Sequence, residues 1–138
     1  MTTISLEDTP NPDDLKTVRD GLSGFNFQYT GDDRYTPISI ILRDNNGTVT
    51  GGLLGGTYWG WLHVDILWLD DTLRGQGYGS KLLKMAEDEG RKRGCRNAHL
   101  DTMSFQALDF YLKNGYTVWG RLEGIPEGHD RIYLRKAL

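Results

Sequence analysis

The feature that most constrains this chain is a turn of seven residues, Arg74-Gly75-Gln76-Gly77-Tyr78-Gly79-Ser80, set between an apolar strand and an amphipathic helix. The strand reads from Trp61 to Leu69. The helix reads from Tyr78 to Gly94, with Gly79, Leu82, Leu83, Ala86 and Gly90 along one stripe and Arg91, Lys92 and Arg93 at its negative end. Where a strand enters a helix through such a turn, successive amides lack a helical acceptor and can converge on one point. With the helix dipole behind them they suit a phosphate or diphosphate. Gly77 and Gly79 carry no side chain to block that approach, and Arg74 can add a charge-assisted contact. Two other phosphate loops are excluded. No Gly-Lys-Ser/Thr triplet is present, and a Gly-x-Gly-x-x-Gly count from Gly75 or Gly77 ends on Ser80 or Leu82.

The rest of the chain supplies a scaffold for that turn. Asn11-Pro12-Asp13-Asp14 predicts a helix start, and Leu15, Val18 and Leu22 continue it to an expected end by Gly24. Thr36–Arg43, Thr48–Trp59 and Trp61–Leu69 predict three strands of an antiparallel meander, the first two joined by the turn Asp44-Asn45-Asn46-Gly47. Gly51, Gly52, Gly55 and Gly56 inside the second strand point to a bulge or a close backbone approach. A strand over Asn97–Thr102 follows, then a helix capped by Ser104 and stopped at Gly115, then strands at Tyr116–Trp119 and Arg131–Lys136. The expected class is α+β: one domain over residues 1–138, a mixed sheet with the meander at its N-terminal side and helices on both faces.

Composition narrows the function. The 138 residues are 38% hydrophobic and 25% charged, as in a soluble globular domain. A net charge of −3 disfavours a nucleic-acid binder, and the Arg91–Arg93 cluster reads as a solvated helix end. The single cysteine, Cys95, rules out an intramolecular disulfide and a cysteine-based zinc site and fits a reducing compartment. No metal, signal peptide, membrane span or membrane partner is expected, and the expected location is cytoplasmic.

The turn and a second motif together resemble the GNAT acetyltransferase superfamily. The first element is Arg74-x-x-Gly77-x-Gly79; the second is Ala107-x-x-Phe110-Tyr111-x-Lys113-x-Gly115-Tyr116. Leu67-Trp68-Leu69 and the acidic pair Asp70-Asp71 also sit where such proteins usually place them. The resemblance runs from about Pro12 to the end and is specific between Trp61 and Tyr116. It implies that the strands at Trp61–Leu69 and Asn97–Thr102 are parallel neighbours that splay apart. The pantetheine arm of acetyl-CoA would lie in the gap, against backbone at Leu67, Trp68 and Leu69. Its diphosphate would rest on the loop formed by Gly75, Gln76, Gly77, Tyr78, Gly79 and Ser80. Ser104 and Phe110 are further cofactor-contact candidates, although family members often carry Asn where this chain has Ser104.

The resemblance also implies the reaction, transfer of the acetyl group to an amine acceptor by direct attack in a ternary complex. An alkylammonium of pKa ~10.4 must first lose its proton, which costs about 4.6 kcal/mol at pH 7. Tyr111 is the candidate for the departing thiolate, as a hydrogen-bond donor. His63 and Asp65, two apart on the strand entering the loop and on one face by alternation, are the candidate base or water-holding residues. Each also has a plain structural reading, Tyr111 as packing, His63 as a strand histidine and Asp65 as a solvated carboxylate. Competing readings of the whole are a non-catalytic acyl-CoA-binding or sensor module and a nucleic-acid or partner-binding domain using Arg91–Arg93. The acceptor is not readable; residues 21–36 and 123–130 are expected to shape its pocket, and a homodimer is the default assembly.

Overall fold

The computed structural model describes all 138 residues and resolves into two compact units, Met1–Asp33 and Arg34–Leu138. The first unit carries helix α1, Pro12–Thr30. The Asn11 side chain caps it by accepting the Asp13 N–H at 2.8 Å, with Pro12 and the acids Asp13 and Asp14 in the first turn. The helix does not stop at Gly24 as the sequence predicts; it ends at Gly31, whose φ is 67°. An interior glycine costs a helix only about 1 kcal/mol. Beyond Gly24 the apolar spacing resumes through Phe25 and Tyr29, whose rings lie 5.2 Å apart.

The second unit is a six-stranded mixed sheet in the order β1-β2-β3-β4-β6-β5. β1 (Thr36–Arg43), β2 (Val49–Tyr58) and β3 (Trp61–Leu69) form the expected meander. A 3-10 turn, Asp71–Leu73, leads into α2 (Tyr78–Lys92). β4 (Asn97–Met103) then runs parallel to β3, and α3 (Leu108–Lys113) follows. β6 (Asp130–Ala137) inserts antiparallel between β4 and β5 (Thr117–Glu123). One core joins Leu62 and Val64 of β3, Leu100 of β4 and Leu134 of β6 to Leu83 of α2 and Tyr111 of α3. α2 and α3 therefore share one face of the sheet.

The glycine-rich second strand marks a bulge. Leu54 pairs with Ile66 but Gly55 pairs with Val64, so Asp65 of β3 is an extra residue without a partner. Before it, Leu62 and Val64 face the core; after it, Leu67 and Leu69 do. The parallel ladder between β3 and β4 runs from Trp61↔Asn97 to Val64↔Leu100 and stops at that point. A bulge bends its strand and increases its twist. Residues 65–69 thus part from residues 101–103, which keep their pairing with β6 on the other side, and a gap opens between two neighbouring parallel strands.

Ser104 departs from its sequence-based role, and three further side chains take partners within the chain. Ser104 does not cap α3, which has no side-chain cap. Its hydroxyl instead accepts the Asp130 N–H at 3.0 Å and its N–H donates to the Asp130 carbonyl at 2.8 Å, pinning the end of β4 to the start of β6. Arg91 pairs with Asp88, while Arg93 pairs with Glu89 and donates to the Thr36 carbonyl at 2.9 Å. Two of the three basic residues at that helix end are thus engaged within the chain. Glu87, not singled out by the sequence, is a buried carboxylate that accepts from the Tyr116 hydroxyl at 2.8 Å and from Lys136 Nζ at 3.0 Å. It fastens α2 to β6 and to the exit of α3.

Candidate active site

The loop that follows β3 is built by short-range bonds. Arg74 donates its N–H to the Asp71 carbonyl and its Nε to the Leu69 carbonyl, each at 3.4 Å, and Gln76 Nε2 donates to the Thr72 carbonyl at 2.8 Å. Gly75 and Gly77 take left-handed backbone, φ 78° and 86°, where an L side chain is strained. The first bond of α2 runs from the Lys81 N–H to the Gly77 carbonyl at 3.2 Å. Between Arg74 and Lys81, the amides of residues 75–80 donate to no acceptor in the protein. No acidic residue lies in the first turn of α2. The result is an exposed, positively polarised nest at the end of the gap.

Gly79 is buried beneath Phe110; a Cβ added there would come within 3.2 Å of that ring. Phe110 therefore forms the wall behind the nest. Beside it, Tyr111 is 6% exposed. Its hydroxyl has no hydrogen-bond partner in the protein, yet no sealed side-chain polar atom lacks one, so the tip of the ring opens to a surface. Burial, and next the charge of Asp101, push the Tyr111 hydroxyl up to about 12. Asp101 lies on β4 just past the end of the ladder with β3, opposite Tyr133 of β6, and is held by Arg131 Nε at 2.9 Å.

The two base candidates are not brought together. His63 stacks on His99 across the parallel ladder, ring centroids 4.6 Å apart, whereas Asp65 is the exposed bulge residue, and no hydrogen bond joins the two. Alternation placed them on one face; the bulge breaks that alternation at Asp65 itself. His99 lies mid-strand, and no local motif in the sequence marks it. It accepts or donates at 3.3 Å with the Tyr58 hydroxyl, and burial followed by the neighbouring His63 lowers its pKa. Its signal was the register: a parallel ladder opening on Trp61 and Asn97 sets His63 beside His99. His99 with Tyr58, Trp59, Trp61, Trp119 and Arg135 lines a cavity of about 450 Å³ at the start of β3, the opposite end of that strand from the nest. Trp68 is outside it, half-exposed on the sheet. His129 sits in a turn, its N–H donating to the Pro126 carbonyl at 2.9 Å, and Cys95 is buried, which pushes its thiol up.

The model of the acetyltransferase (GNAT) family matches residues 1–116. The chain belongs to the GNAT family. Among curated relatives, acetyltransferase Atu2258 of Agrobacterium fabrum is 40% identical over 131 residues, covering 95% of this chain and 96% of that protein. Blasticidin-S acetyltransferase of Streptomyces morookaense is 42% identical over 93 residues, 67% of this chain and 68% of that protein. A crystal structure of an acetyltransferase from Agrobacterium tumefaciens superposes with a TM-score of 0.93 at 38% identity, covering 99% of this chain and all of that one. The GNAT fold and acetyltransferase class expected from Arg74-x-x-Gly77-x-Gly79 and the Phe110-Tyr111 helix are those of the family. No helix is long and apolar enough to cross a membrane.

The tyrosine environment of this GNAT chain carries a pH signature. Burial and the Glu87 carboxylate also raise Tyr116. In the unfolded chain both phenols lose their protons near ~10. Between pH 10 and about 12 the folded protein keeps protons that the unfolded chain releases, so stability falls as pH rises. Urea midpoints are expected to drop across that window, and Tyr111→Phe is expected to remove about half of the slope. An unchanged slope would place the Tyr111 hydroxyl in open water.

Proposed function

We propose that residues 1–138 act as one acetyl-CoA-dependent N-acetyltransferase domain that acetylates a primary amine of a small molecule or peptide in the cytoplasm. The observation that carries the reading is the coincidence of two features. The β3–β4 ladder ends at Val64 and Leu100, and the gap so opened leads directly to the unpartnered amides of residues 75–80. The nest and Arg74 take the diphosphate. Backbone at Leu67–Leu69 takes the pantetheine arm, with Phe110 as the wall. Ser104, already bonded to Asp130, contributes from the rim.

In the reaction the neutral amine attacks the thioester carbonyl, forms the new C–N bond and breaks the C–S bond; the nitrogen sheds a proton, and the expelled thiolate is protonated from solvent to give coenzyme A thiol. Tyr111 stabilises that thiolate by donating a hydrogen bond. With its hydroxyl at about 12, handing the proton to a thiol of pKa ~8.5 would run uphill by about 5 kcal/mol, so the proton stays on the phenol. Asp65, exposed at the mouth of the gap, and His63, held against His99, are the groups that can take the ammonium proton directly or through water.

Release of free coenzyme A thiol with a panel of amines tests this. Blasticidin S belongs in the panel because a relative is named for its acetylation. Turnover of at least one amine is expected, and calorimetric binding of coenzyme A without turnover of any amine would favour an acyl-CoA sensor instead. In the same assay Tyr111→Phe is expected to lower kcat about tenfold with acetyl-CoA affinity unchanged. His63→Ala and Asp65→Asn assign the base: the variant that removes the acidic limb of the pH–rate profile identifies it.

A further inference from the structure

The two strands that frame the gap part after one rung, and the next residue on each is acidic. Val64 pairs with Leu100 and ends the β3–β4 ladder; Asp65 and Asp101 follow on the separating strands. Neither faces the core. Asp101 alternates with the buried Leu100 and Thr102, and Asp65 is the exposed residue between Val64 of the core and the bulge. The mouth of the gap therefore carries one carboxylate on each lip.

Three polar groups at this mouth have bonding capacity to spare. Asp65 has no partner in the chain. Asp101 receives Arg131 Nε on Oδ1 at 2.9 Å, its Oδ2 takes no bond, and its side chain is 28% exposed. Two carboxylates beside one guanidinium leave the mouth negative. The third group is the Tyr111 hydroxyl. A side chain as buried as this one ordinarily finds a partner, yet its hydroxyl has none, and Asp101 is the charge that bears on it. The hydroxyl thus opens toward the gap on the side of Asp101. All of these residues belong to the unit Arg34–Leu138.

We propose that Asp65 and Asp101 together hold the acceptor as an alkylammonium at the mouth of the gap, and so select amines that are cations in water. On the acetyltransferase reading above, on which this assignment rests, an alkylamine qualifies as acceptor and a weakly basic arylamine does not. A primary ammonium offers three N–H donors and no acceptor. Charge-assisted bonds from it to one oxygen on each lip need roughly 5–6 Å between those oxygens. Strands that start ~4.8 Å apart and diverge supply that span. No third metal-ligating side chain joins the pair, so it suits a monovalent ammonium rather than a divalent metal. An alkylamine of pKa ~10.4 reaches the protein as a cation at neutral pH, and the negative mouth draws it in before its proton leaves. An arylamine or alcohol of the same size is uncharged and gains no such attraction.

Amide chemical-shift titration of the full-length, isotope-labelled protein at neutral pH tests this. The probe is n-butylammonium chloride, with n-butanol as its neutral isostere and aniline as an uncharged amine. Butylammonium is expected to give saturable shifts at the amides of residues 65, 66, 101 and 102, and n-butanol and aniline none. Asp101→Asn is expected to weaken butylammonium binding about tenfold. Asp65→Asn, at an exposed position without a partner, is expected to lose about as much and decides the matter if Asp101→Asn does not fold. Arg131→Gln breaks the same ion pair as Asp101→Asn but keeps both carboxylates, and is expected to bind at least as tightly as the native protein. Equal shifts with n-butanol, native affinity in a folded Asn variant, or equal losses in Asp101→Asn and Arg131→Gln would overturn the assignment. Coenzyme A is titrated into the same samples. Failure to bind it, with butylammonium still bound, would overturn the acetyltransferase reading and leave the ammonium site standing.

Discussion

Gly55→Ala is expected to destabilise the protein by about 3 kcal/mol or more and to abolish coenzyme A binding in whatever fraction stays folded. A Cβ at Gly55 would sit 2.1 Å from the His63 carbonyl oxygen, a backbone atom that cannot swing aside. Relief requires β2 and β3 to part or to change register at the bulge. A register change there moves Asp65 out of its unpaired position and restores strict alternation. Leu67 and Leu69 would then turn from the core, and the β3–β4 ladder would no longer be bent away beyond Val64. Urea denaturation measures the first effect and calorimetry with coenzyme A the second. An alanine variant of native stability would mean that the bulge adapts and is not what holds the strands apart. Gly31→Ala supplies the comparison: its φ of 67° and ψ of −156° lie in a region confined almost entirely to glycine, but no atom lies within 4 Å of an added Cβ, so only backbone strain of about 1–3 kcal/mol is expected, with coenzyme A binding kept.

That bulge also explains which parts of the fold and site were legible in the sequence. Local chemistry could be read. The Asn11 cap, the Asp44–Gly47 turn and the nest glycines each follow from a residue type whose preferred backbone matches the place it occupies. The four glycines of β2 announced an irregularity, but not which partner residue would be left over, because that depends on register between strands. Asp65 was therefore assigned a face by alternation that the extra residue interrupts. The same limit hid His99, whose neighbour His63 is 36 positions away and reached only through the parallel ladder. It hid Glu87 too, a charge on a helix that reads as solvent-facing until Tyr116 and Lys136 close over it. Ser104 shows the reverse error. A serine before a helix suggests a cap, but the tertiary bond to Asp130 takes precedence.

The second large effect is expected at the nest. Gly77→Val should weaken coenzyme A binding about 100-fold, some 2.7 kcal/mol, while the protein stays folded. No protein atom lies within 4 Å of a Cβ added at Gly77, so the side chain meets no steric obstacle within the chain. The cost to folding is backbone strain alone, about 1–2 kcal/mol for a φ of 86°. The cost to binding is larger. A β-branched residue driven from that φ rotates the peptide planes on either side and turns away amides at residues 77 and 78. Each charge-assisted bond lost is worth about 1.5–3 kcal/mol. Gly47→Val separates the two costs, because Gly47 has nearly the same φ, 80°, and equally open surroundings, but lies in the β1–β2 turn. Both variants should lose similar stability in urea, and only the Gly77 variant should lose coenzyme A. Equal affinity in the two would mean that the diphosphate is held elsewhere, and the assignment of the loop after β3 would fall with it.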